Sequence, residues 1–80
     1  MNFERLQLKG MLAEAKKSLR TLDTEASGLV ILIRTLLNPY ESILKLDTEK
    51  AFVSIKRLKD VQTEMKNLET KIKNLESELE

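Results

Sequence analysis

The chain has 80 residues, with 14 Lys or Arg against 13 Asp or Glu and a formal charge of +1. It contains no Cys, His or Trp, which removes disulfides, thiolate zinc and any Ser–His or Cys–His nucleophilic pair. With a third of the residues charged but nearly balanced, no whole-molecule field argues for nucleic acid or a membrane.

Residues 2 to 37 read as one long helix. Leu8, Leu12, Ala15, Leu19, Leu22, Ala26, Leu29, Ile33 and Leu36 recur at alternating spacings of four and three, the heptad pattern of a helix that packs along one seam. Asn2 is placed to cap it, with Glu4 in its first turn. Gly10 and Gly28 each cost about 1 kcal/mol relative to alanine, a small penalty against so regular a seam. The opposite face carries Thr21, Thr24, Gly28, Ile31 and Thr35, none of them charged. The run Leu29–Ile33 points in every direction around its helix, and a helix apolar or uncharged all round is normally buried.

Leu36-Leu37-Asn38-Pro39-Tyr40-Glu41 interrupts this pattern. Proline has no amide donor and clashes with a preceding helical turn, so the first helix is expected to end by Asn38. The same residues can restart a helix: Asn38 as N-cap, Pro39 in the first turn and Glu41 as the capping-box carboxylate. The expected bend is therefore Asn38–Pro39, with a second helix over residues 39 to 79. In that arm Leu44, Ala51, Leu58, Met65, Ile72 and Leu79 recur every seven, joined by Val61, Leu68 and Leu75. Before Leu58 the accompanying positions are Thr48 and Ile55, one place later, so the stripe is expected to shift near Leu58–Val61. Leu46-Asp47-Thr48-Glu49 offers a second cap, but a continuous helix is the preferred reading.

Folding the arms at Asn38 pairs positions whose numbers sum to about 77. Leu12 then faces Met65, Leu19 faces Leu58, Leu22 faces Ile55 and Ala26 faces Ala51. An elongated two-helix hairpin buries less surface than a compact chain of its size, so partner subunits are expected. The fold read from the sequence is all-α: a long antiparallel helical hairpin, coiled-coil-like, self-associating into a four-helix or larger bundle. The expected contact between chains is the bend half, through Val30, Ile31, Leu32, Phe52 and Val53, with Thr21, Thr24 and Gly28 permitting close approach.

Carboxylates alternate with lysines along the helical faces, as in Glu64, Lys66, Glu69 and Lys71, the pattern of solvated helix surface and not of catalysis. No Gly-rich phosphate loop is present. No catalytic residue, metal ligand or cofactor is therefore expected. The half of the hairpin away from the bend has a basic excess, with Lys16, Lys17, Lys56 and Arg57 placed to contact phosphates. It lacks aromatic stacking residues, and acidic residues interrupt each cluster. No basic-then-apolar leader opens the chain, and the longest apolar run is far shorter than the ~20 residues that span a bilayer. The seam is also too narrow, and lacks the interfacial Trp, for an amphipathic membrane helix. The expected setting is cytoplasmic, without membrane contact.

The bend run Leu36–Glu41, followed by Leu46-Asp47-Thr48-Glu49-Lys50-Ala51, resembles small uncharacterised helical proteins encoded in early regions of Mu-like prophages. The resemblance covers only the bend and the start of the second helix. It implies a phage accessory role, with no activity or functional residue carried over. Two functional expectations follow from the residues themselves. One is a non-enzymatic module that binds itself, or another helical protein, through its heptads. The other is an accessory nucleic-acid binder that uses the basic half.

Overall fold

A computed structural model describes residues 3–80, so the expected cap at Asn2 lies outside the described residues. Helix α1 spans Phe3–Leu36 and helix α2 spans Thr48–Leu79, with a single 3₁₀ turn at Ile43–Lys45 between them. The two helices pack antiparallel along their length, giving a rod of 64 × 15 × 14 Å. Its radius of gyration is 18.2 Å, against about 12 Å for a compact chain of this length. No helix among the described residues is long and apolar enough to cross a membrane.

Every residue of the α1 seam, from Leu8 to Leu36, is buried or half-buried, and charged and polar residues occupy most of the remaining positions. On α2 the buried and half-buried residues are Ala51, Ser54, Leu58, Val61, Met65, Leu68, Ile72, Leu75 and Leu79. Nine positions on α1 thus meet nine on α2, and each pair sums to 87: Leu8 with Leu79, Ala15 with Ile72, Ala26 with Val61, Leu36 with Ala51. Two interhelical ion pairs straddle this sum symmetrically, Glu25–Arg57 at 82 and Lys16–Glu76 at 92. The register is constant from end to end.

Three expectations are corrected by this arrangement. The α2 stripe does not shift. Ser54 is 7% exposed and holds the seam position, whereas Ile55 is exposed and Thr48 opens the helix on its solvent side. The pairing sum is 87 and not 77, so Leu12 is level with Leu75, Leu19 with Leu68, Leu22 with Met65 and Ala26 with Val61. The displacement of ten arises because the connection is far longer than a two-residue bend.

The third correction concerns α2's start, which is Thr48 and not residue 39. Asn38 caps a local turn only: its Oδ1 accepts from the Tyr40 amide at 3.0 Å, and the Glu41 amide donates to its carbonyl at 3.2 Å. The Glu41 carboxylate accepts from the adjacent Ser42 amide at 3.0 Å, so no capping box closes. The α2 cap is Asp47, whose Oδ1 accepts from the Lys50 amide at 3.0 Å. Packing explains the choice. In the 87 register residue 48 lies level with residue 39, already past the end of α1, so a helix over 39–47 would extend into water with no seam to cover it. Leu44, expected on the heptad, is accordingly 95% exposed. Asn38, Pro39 and Glu41 all sit in this connector.

Candidate functional site

The helical geometry divides the hairpin into two flanks. Residues that directly precede one set of seam positions, among them Glu25, Leu32 and Arg57, line the first flank. Residues that directly follow the other set, among them Val30, Leu37, Ile55 and Gln62, line the second.

The first flank is bridged in the bend half. Arg57 donates from Nε to Glu25 Oε2 at 2.5 Å and from Nη2 to Glu25 Oε1 at 2.8 Å, a fork-to-fork pair across α1 and α2. The Arg57 hydrogen bond holds the Glu25 carboxyl below the usual glutamate range, helped by the nearby positive charge and partly opposed by desolvation. The same bond raises the Arg57 guanidinium above its ordinary value.

The second flank is bridged towards the open end by Lys16 Nζ and Glu76 Oε2 at 3.8 Å. In the bend half it opens into a groove of about 660 Å³ lined by Ala26, Val30, Ile55, Leu58 and Met65, with Lys59 and Gln62 at the rim. A hollow lined by Asp23, Glu69 and Arg20 continues it past Met65.

Exposed large apolar side chains gather around this half. Ile31, Leu37, Tyr40, Ile43, Leu44, Phe52, Val53 and Ile55 are all exposed, whereas only Phe3, Leu6 and Met11 are so at the other end of α1. The residues expected between chains therefore separate. Ile31, Phe52 and Val53 are exposed, and Val30 and Leu32 are half-buried against the partner helix. Thr21, Thr24 and Gly28 are exposed, and a Cβ at Gly28 would meet nothing within 4 Å. The Thr21, Thr24 and Thr35 hydroxyls donate to the carbonyls of Lys17, Arg20 and Ile31 at 3.0–3.1 Å. These bonds satisfy the hydroxyl donors internally, so a neighbouring surface need not supply an acceptor for them.

The four residues expected to contact phosphates do not form one cluster. Lys16 is paired with Glu76 and Arg57 with Glu25. Lys17 shares a groove on the first flank with Glu14 and Glu64. The Lys56 ammonium lies 5.6 Å from the centroid of the Phe52 ring. Among the described residues no group of three or more acidic side chains is placed to hold a metal ion.

Sequence reasoning passed over Ser54 as a seam residue and Glu25 and Glu76 as bridge partners. Continuing the three–four alternation of α2 back from Val61 through Leu58 reaches Ser54, which the stripe drawn through Thr48 and Ile55 passed by. The bridge partners follow only once the register is known. No family model matches the chain, and neither does any curated protein or solved structure.

Proposed function

We propose that this chain is a non-enzymatic structural and protein-interaction module that oligomerises through its helices, an accessory role of the kind the prophage resemblance implies. The observation that carries the reading is the collection of exposed apolar side chains around the bend half, on a hairpin whose own seam leaves them uncovered. Exposed large apolar side chains gathered at one end of a molecule in this way favour protein contact. Sedimentation equilibrium tests it: at ~50 µM the protein is expected at twice its chain mass or more, and a stable monomer at that concentration overturns the reading.

Accessory nucleic-acid binding through Lys16, Lys17, Lys56 and Arg57 has less support. Two of the four charges are spent on carboxylates across the hairpin, and a third lies over an aromatic ring.

A further inference from the structure

We infer that the groove between Val30 and Ile55 is closed by the same flank of a second copy of this chain, so that two hairpins meet face to face through their bend halves. The inference rests on the self-association proposed above and adds which of the two flanks is used.

Three observations select this flank and this occupant. The first is asymmetry. In the bend half the first flank is strapped by the Glu25–Arg57 fork, and any partner there would have to cover or displace two charges. The second flank at the same level presents Val30, Ile55 and the apolar lining of the groove, with Lys59 at its rim and, among the described residues, no ion pair across it.

The second observation is area. A compact chain of 9.2 kDa exposes about 4,900 Å², whereas this one exposes 6544 Å². The excess of about 1,600 Å² is roughly twice the ~800 Å² that one partner contributes to a standard interface. The surplus is therefore large enough to supply a standard interface with a second copy.

The third is charge. The groove and the hollow that continues it are lined by Arg20 and Lys59 beside Asp23 and Glu69, two of each sign. An isologous contact brings a surface against itself, and a surface of one sign would repel its copy. The lining of the groove and hollow is thus balanced in charge and can meet itself. Its apolar half then supplies a central layer of two Val30 and two Ile55 side chains, each pair entering the other hairpin's groove.

The absence of cysteine from the sequence makes a direct test simple. Ile55→Cys and Val53→Cys lie two residues apart on α2, on the second flank and away from it. Under mild oxidation at ~50 µM, Ile55→Cys is expected to run as a disulfide-linked dimer on a non-reducing gel, and Val53→Cys as a monomer. The unmodified protein is sedimented alongside. If it self-associates but Val53→Cys alone cross-links, or neither variant does, the flank is wrong and the interaction module stands. If it sediments as a monomer, that reading fails together with this one. As a second measure, Val30→Glu with Ile55→Glu is expected to halve the sedimenting mass, while Ile31→Glu with Val53→Glu leaves it unchanged. The reverse pattern overturns the assignment.

Discussion

Ser54 lies on the inter-helical seam and its neighbour Ile55 lies outside it: the serine is 7% exposed and the isoleucine 45%. Hydrophobicity alone would reverse the two. A helix cannot choose residue by residue, because its seam is one continuous stripe. Ala51, Leu58, Val61 and the residues beyond them fix that stripe, and Ser54 falls on it. Helix α2 thus accepts a polar residue in its seam to keep eight others in register.

That position can be improved. Ser54→Ala removes a buried hydroxyl and raises helix propensity, and is expected to stabilise the hairpin by about 1 kcal/mol, read as a higher urea midpoint. Ser54→Asp places a charge there and is expected to destabilise by several kcal/mol. Equal midpoints for all three proteins would mean that residue 54 is not enclosed.

The register is open to a double-mutant cycle. Leu19 is level with Leu68, so Leu19→Ala and Leu68→Ala are expected to couple by about 0.5–3 kcal/mol in denaturant unfolding. Leu19 and Leu58 lie about 15 Å apart along the axis at 1.5 Å per residue, and their losses are expected to add. Val61, fully enclosed, is expected to cost about 2 kcal/mol on replacement by Ala.

The Glu25–Arg57 fork gives a pH dependence of defined sign. The folded-state pKa of Glu25 lies below its unfolded value, so its contribution is present above the ordinary glutamate range. It is lost as pH falls through the lowered folded value. The melting temperature of the unmodified protein is expected to exceed that of Glu25→Gln at neutral pH, with the gap closing in acid. The raised Arg57 value contributes stability that is retained throughout that range. A gap that widens in acid would contradict the assignment.

In the connector, Asp47→Ala is expected to cost about 1 kcal/mol, the usual loss for an N-cap. Asn38→Ala is expected to cost less, because Asn38 stabilises a solvent-exposed turn and no helix. Pro39→Ala is expected to leave the mass in solution unchanged, since the residues from 40 to 47 remain outside either helix. Thermal melts and sedimentation of the three variants check all of this.

For nucleic acid, retention of labelled DNA or RNA is expected to be undetectable at ~50 mM salt, where electrostatic binding is strong. Measurable binding, abolished by Lys17→Glu with Lys56→Glu, would restore the alternative.

Much of the architecture was legible in the residues. The α1 seam is the one the Leu8–Leu36 spacing predicts, member for member, because nine apolar residues at strict alternation leave no second solution. Pro39 correctly marks a break between two antiparallel helices. What the local signals could not decide was where α2 resumes. Asn38-Pro39 and Asp47-Thr48 are both acceptable starts by capping chemistry, and the choice depends on how far α1 extends to be packed upon. The error in the start carried into every facing pair, and the bridges Glu25–Arg57 and Lys16–Glu76 became readable only with the corrected sum. The apolar surplus near the bend was visible in the sequence. Its division between two flanks was not, since that requires the register.

The connector from residue 37 to residue 47 has one more consequence. Because the seam pairs hold one sum throughout, the α2 of a neighbouring chain would satisfy an α1 as fully as its own does. Only the connector separates the two outcomes, by acting as a tether. A short flexible link holds its second segment at an effective concentration in the millimolar range. Exchange of α2 between chains is thus outcompeted in dilute solution and gains ground only as the protein approaches that concentration, so the connector acts as a concentration threshold on how two chains can combine.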